Sequence, residues 1–179
     1  MPEIQIRPAT PADLPAMIAI DPDYVSDYVW QMEIQAEENQ VKVSFREVRL
    51  PRSVRVDYPR LPANLKQDWD QRSGLLVAIL GEEVVGYASL MLNLAPLTAW
   101  VTDLVVMRRL RRQGIGSALL LAAEEWASQH NSRHLVIEMQ PKNYPAIHMA
   151  QKLGFDFCGY NDRYYPNHDI GLFFGKLAR

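Results

Sequence analysis

Thr102-Asp103-Leu104-Val105-Val106, then Arg111-Arg112-Gln113-Gly114-Ile115-Gly116, then Ser117-Ala118-Leu119-Leu120-Leu121-Ala122-Ala123, is the stretch from which the architecture follows. The β-branched run from Trp100 to Met107 reads as a strand. Beyond the glycines, Leu119, Ala122, Ala123 and Trp126 share one helical face, so a helix is predicted from about Gly116 to Gln129, with Asn131 as its stop. Two glycines one residue apart allow a tight turn and expose backbone N–H groups. Those groups converge on the positive end of a helix, which makes an anion site. Arg111 and Arg112 add fork-shaped donors suited to phosphate oxygens. By itself the loop says only phosphate. A Walker loop needs Lys-Ser or Lys-Thr where Ser117-Ala118 stands, and the dinucleotide fingerprint needs a further glycine.

Working outward, Leu135–Met139 predicts a strand and Pro145–Leu153 a helix ending at Gly154, with two short strands after it. Upstream, Leu75–Leu80 and Val84–Leu92 flank Gly81-Glu82-Glu83 and predict a hairpin. Ile4–Arg7 alternates as a strand, and Thr10 or Asp13 caps a short helix carrying Leu14, Met17 and Ile18. Val25, Tyr28, Val29, Met32 and Ala36 recur at helical spacing and predict a second amphipathic helix. Val41, Val43 and Phe45, then Val54 and Val56, predict two strands of a hairpin around Leu50-Pro51-Arg52-Ser53. Residues 59–73 read as a surface connection. The sum is an α/β domain: a mixed, mostly antiparallel sheet around a parallel strand pair, flanked by about four helices.

Composition narrows the function classes. The chain has 179 residues, 48% of them hydrophobic, and a net charge of −2. That suits one globular domain over 1–179 and gives no overall attraction to nucleic acid or anionic membrane. Arg108, Arg109, Arg111 and Arg112 cluster without interleaved aromatics, so phosphate contacts explain Arg111 and Arg112 better than a nucleic-acid patch does. Cys158, the one cysteine, has no disulfide partner, and no Cys/His spacing suggests a metal site. No signal-peptide pattern or membrane-length apolar run is present, so a cytoplasmic protein is expected.

Arg111–Gly116 resembles the R-x-x-G-x-G signature of the GNAT acetyltransferase superfamily, which cradles the pyrophosphate of acetyl-CoA. The preceding strand is similar to the one that pairs with the pantetheine arm. Asn143, Pro145-Ala146 and Leu153-Gly154-Phe155 resemble the family's second cofactor segment, and Ile4–Leu14 its opening strand and turn. Residues 41–58 and the ending Asp169–Phe174 look closest to its streptothricin acetyltransferase branch. The resemblance implies a GNAT fold with a splayed parallel pair, an acetyl-CoA-binding core over 100–155 and a variable acceptor-side region over 21–73. It implies acetyl transfer from acetyl-CoA to a primary amine of a small molecule or peptide, with no metal and with a homodimer as an option. Leu104, Val105, Val106, Arg111, Arg112, Gln113, Gly114, Ile115, Gly116, Ser117 and Asn143 are then the cofactor contacts. A backbone N–H near Val106 serves the developing oxyanion.

A lysine-like amine with pKa near ~10.4 is almost wholly protonated at neutral pH, so transfer needs a carboxylate that accepts a proton. Asp103, inside an apolar strand, is the first candidate, against a structural hydrogen-bonding role, and Glu138 is the second. Alanine occupies position 150, where the family usually has a tyrosine that protonates the leaving thiolate. Tyr144, Tyr160, Tyr164 and Tyr165 are possible substitutes, and Tyr165 is preferred. Ala150 also motivates a second reading, an acetyl-CoA-binding sensor or docking module without turnover. Tyr24, Tyr28 and Trp30, among Asp21, Asp23 and Asp27, are expected to line a site for a cationic acceptor, with an ordinary core role as the competing reading. His148 is expected to be structural, Cys158 buried and inert, and Trp100 and Trp126 core.

Overall fold

The computed structural model describes residues 3–178; residues 1, 2 and 179 of the expected domain lie outside them. In chain order the elements are β1 (Ile4–Pro8), α1 (Leu14–Ile18), β2 (Tyr24–Glu37), β3 (Gln40–Val56), α2 (Asn64–Gln67), β4 (Gly74–Leu80) and β5 (Glu83–Ala95). They continue with β6 (Thr98–Val106), α3 (Ile115–Gln129), β7 (His134–Met139), α4 (Tyr144–Lys152), β8 (Asp156–Asn161) and β9 (Gly171–Leu177). Seven strands form one sheet in the order β1-β4-β5-β6-β7-β9-β8, and only the β6–β7 pairing is parallel. Among the described residues no helix is long and apolar enough to cross a membrane.

Helices cover both sheet faces. Leu119, Leu120, Ala123 and Ala127 of α3 and Ile147 and Ala150 of α4 pack with Val101, Ile137, Leu172 and Phe174 in the larger core. Met17 and Leu65 pack on the other side with Val77, Tyr87 and Val105. Arg7 grips Asp13 through two hydrogen bonds of 2.7 and 2.8 Å and so ties α1 to the end of β1. The Arg7 guanidinium holds the Asp13 carboxyl well below its ordinary range.

Two expectations upstream of residue 57 are corrected. The segment predicted as an amphipathic helix is strand β2, and the predicted hairpin over 41–58 is one strand, β3, paired along its length with β2. Trp30, Met32, Ile34 and Ala36 alternate as faithfully as the helical set recurs, and they lie opposite Glu47, Phe45, Val43 and Val41. An apolar cross-strand face, available only when β3 arrives, decides for the strand. Leu50-Pro51-Arg52-Ser53 bulges out opposite Asp27, where a proline breaks no ladder hydrogen bond. The two halves of β3 therefore pair with β2 rather than with each other. The expected surface connection over 59–73 also holds α2, whose Leu65 is buried.

Pairing of β5 with β6 slips by one residue at Thr102: Leu90 faces Val101, but Ser89 faces Asp103. A bulge of this kind reverses which face each later side chain takes. Ala99 and Val101 point to the larger core, whereas Val105 points to the smaller one. The close approach of β5 to β6 depends on Gly86, where a Cβ would meet the Val105 carbonyl oxygen at 2.8 Å. Gly86→Ala is expected to destabilise the protein by about 1–3 kcal/mol, the usual range for overpacking. Chemical denaturation checks this; an unchanged midpoint would show that the strands can separate freely.

Candidate active site

Strands β6 and β7 pair only from Thr98–His134 to Val101–Ile137, yet both run on, to Val106 and Met139. Past Val101 they part. Met107 N–H donates to the Val85 carbonyl on the β5 side, so by strand alternation the N–H and C=O of Leu104 and Val106 face the open edge. Between the parted strands is a small cleft lined by Leu104, Glu138, Asn143, Ala146, Tyr58 and Tyr165, among others. Val105, by contrast, is buried on the far face. Asn143 caps α4, its Oδ1 accepting from the Ala146 N–H at 3.3 Å.

At the end of β6 the glycine loop has the anticipated geometry. Gly114 sits at φ +86°, immediately before α3, with open space around it. Among the described residues, the backbone N–H groups of residues 112–117 have no protein acceptor. Arg112 is exposed at φ +63°, and Gln113 is exposed beside it. Gly116 lets Met149 of α4 come close, since a Cβ there would stand 3.1 Å from its sulfur. Ile115 is buried in the core and Ser117 is half-buried on the first turn. Arg111 differs from expectation in where it points. Its guanidinium donates to the carbonyls of Val106 (2.8 Å), Asp23 (2.6 Å) and Asp21 (2.9 Å), so it braces the loop from behind. Open N–H groups, a permissive glycine and an unpaired strand edge fit a phosphate and an extended amide-bearing arm.

Both candidate carboxylates are buried and fully partnered. Asp103 accepts from Tyr58 Oη at 3.0 Å, Arg72 Nη1 at 3.1 Å and Thr102 Oγ1 at 3.4 Å. Glu138, whose side chain has no exposure, accepts from Arg60 Nη2, from Trp100 Nε1 at 2.7 Å and from Tyr164 Oη at 2.5 Å. Burial pushes the Glu138 carboxyl up, against the opposing pull of these donors. Glu138 and Tyr165 line the cleft together, and burial pushes the Tyr165 phenol well up. Arg60, Arg72, Tyr58, Trp100 and Tyr164 were not anticipated in these roles.

The three aromatics expected at the acceptor site are not among the residues that line the small cleft. Tyr24 is buried and donates to Gln140 Oε1 at 2.7 Å, and Gln140 in turn donates to Asp169. Tyr28 packs on Tyr144 with ring centres 4.6 Å apart. Trp30 sits among Phe45, Phe157 and Phe174, which is core packing. Ala150 is fully buried in the larger core, and His148 stacks on Tyr144. Cys158, expected to be buried, is exposed: it follows Phe157, which packs on Phe174, and strand alternation puts its sulfur over Gly175 on the other face of the sheet. Trp126 is only half-buried, over Gly74. Trp100, also half-buried, is a hydrogen-bond donor to Glu138 rather than inert core.

The chain and its fold are similar to those of known acetyltransferases. A streptothricin acetyltransferase of Streptomyces lavendulae is 26% identical over 167 residues, 90% of this chain and 86% of that protein. An N-alpha-acetyltransferase of Sulfurisphaera tokodaii is 31% identical over 109 residues, 55% of this chain and 65% of that protein. The crystal structure of nourseothricin acetyltransferase superposes with a TM-score of 0.81 at 24% identity, over 98% of this chain and 99% of that one. A candidate streptothricin acetyltransferase of Bacillus anthracis, solved with acetyl coenzyme A, superposes at 0.75 with 19% identity over 98% and 99%. The family model of the acetyltransferase (GNAT) family matches residues 41–155, and with the splayed β6–β7 pair and the glycine loop in place the chain belongs to that family.

Proposed function

We infer that the protein transfers the acetyl group of acetyl-CoA to an amine of a streptothricin-type small molecule. The observation that carries this is the pairing of an open β6 edge with free N–H groups at the start of α3. The small-molecule acceptor rests on the streptothricin acetyltransferase relative, which matches 90% of the chain, against 55% for the N-alpha-acetyltransferase. A peptide amino terminus is the competing acceptor, and an activity of this kind belongs in the cytoplasm.

Acetyl-CoA would lie with its phosphates on the N–H groups of residues 112–117 and its amide arm along Leu104 and Val106, supplying an activated thioester carbonyl. Exposed Arg112 then meets phosphate directly, while Arg111 keeps the loop in shape. The Val106 N–H faces the carbonyl oxygen and stabilises charge developing there. Glu138 orients the acceptor amine and receives its proton, its burial making it a stronger base than a solvated carboxylate. Asp103 takes the structural alternative and holds residues 58–72 through Tyr58 and Arg72. Tyr165 donates a hydrogen bond to the departing sulfur in place of the tyrosine that Ala150 cannot supply.

Two measurements test the reading. Acetyl-CoA should bind with micromolar affinity by calorimetry, and Gly114→Val should weaken it at least about tenfold, because a β-branched residue resists positive φ. Absence of binding by the wild type would overturn the assignment. A hydrogen bond to a charged group contributes about 1.5–3 kcal/mol, or roughly ten- to a hundredfold in rate. Tyr165→Phe should therefore lower kcat for streptothricin by that factor with little change in KM for acetyl-CoA. Binding without transfer to streptothricin or peptide amines would favour the sensor reading.

A further inference from the structure

The connection between β3 and β4 sends one guanidinium into the cleft. Arg60 Nη1 donates to the Thr102 carbonyl at 2.7 Å and lies 3.8 Å from Asp103 Oδ1, while Nη2 donates to Glu138 Oε1. Its central carbon is 5.2 Å from the centre of the Tyr165 ring. Thr102 and Glu138 are the first residues past the last ladder pair, Val101–Ile137. The guanidinium thus occupies the rung at which the strands first fail to pair. A planar fork suits that place: one arm reaches a carbonyl on β6 and the other a carboxylate on β7.

We propose that Arg60 is a positioning residue for the transfer reaction, fixing the opening between β6 and β7 and keeping Glu138 ionised. The proposal rests on the acetyl-transfer reading. Glu138 is faced by Arg60 from the connection, by Trp100 from β6, and by Tyr164 and Tyr165 from the segment between β8 and β9, while Asp103 of β6 lies near the same Arg60 guanidinium. Among the described residues Arg60 is the one cation touching it, since Arg72 bonds the other oxygen of Asp103. A carboxylate with no exposure stays charged only with such a partner. The reach of Arg60 is also fixed, because Tyr58, two residues earlier, is bonded to Asp103.

Removing the positive charge favours the neutral carboxyl, so Glu138 would ionise at higher pH and the acid limb of kcat/KM would move up with it. The Trp100 indole N–H, bonded to Glu138, reports that ionisation by NMR without any turnover. Its resonance is assigned with Trp100→Phe and titrated in the wild type, in Arg60→Met and in Arg60→Lys. In Arg60→Met the resonance and the acid limb should both shift up by about one pH unit or more, a tenfold change in ionised fraction. Arg60→Lys, which keeps the charge, should titrate close to the wild type. If Arg60→Met does not fold, Arg60→Gln keeps a donor for Thr102, removes the charge and supports the same comparison. An indole titration that stays at the wild-type pH in a folded variant overturns the proposal. A wild type that acetylates no amine removes the acetyl-transfer reading instead, and the indole titration still decides whether Arg60 controls Glu138.

Discussion

Strand β6 has a partner on each side only as far as Val101, and most of the functional architecture follows from that. β7 pairs through Ile137 and then diverges, while β5 holds the other edge of β6 through Val106. An unpaired edge inside a domain leaves backbone groups that need partners. Here the first free carbonyl, on Thr102, is taken by Arg60, and the Val106 carbonyl is taken by Arg111. The bulge at Thr102 adds a reversal of faces. It sends Asp103 to the side of Tyr58 and Arg72 and leaves Leu104 on the cleft.

The cleft is expensive to build. Two buried carboxylates and two largely buried guanidiniums meet within one small region. Replacing such groups by well-packed apolar side chains is often neutral or stabilising, so charge here is weak evidence for stability. It is better evidence for chemistry. Arg72 completes the cluster, its Nη1 donating to Ser89 and Asp103.

Downstream of residue 74 the sequence was nearly transparent. The hairpin of β4 and β5, the strand–loop–helix of β6 and α3, and the β7–α4 pair all lie within about three residues of their predicted places, because local periodicity and glycine punctuation decide them. Upstream it was opaque. Val25, Tyr28, Val29, Met32 and Ala36 satisfy a helical period, and only a partner strand brings the competing alternation to dominance. Glu138 and Tyr165 were candidates already in the sequence, and both line the cleft. Arg60 was not, since its partner Glu138 lies 78 residues away and nothing around Pro59-Arg60-Leu61 signals a buried charge. Arg111 shows the converse: the motif was visible, but the direction of its side chain depends on carbonyls at Asp21 and Asp23.

Alanine at position 150 looks at first like the loss of catalysis, and the physical chemistry of the leaving group argues otherwise. A thiol of pKa near ~8.5 departs as an anion that is tolerable at neutral pH. Burial pushes the Tyr165 phenol well above its ordinary value, so complete proton transfer to such a thiolate would be uphill. What a phenol in that state offers is a hydrogen bond to developing negative charge, strongest when the sulfur is anionic. The same burial keeps it neutral, and thus a donor, across the range in which Glu138 is ionised. A donor on the segment between β8 and β9 can therefore replace one on α4, provided the cleft is narrow enough to bring it to the sulfur. That width is set where Arg60 joins Thr102 to Glu138.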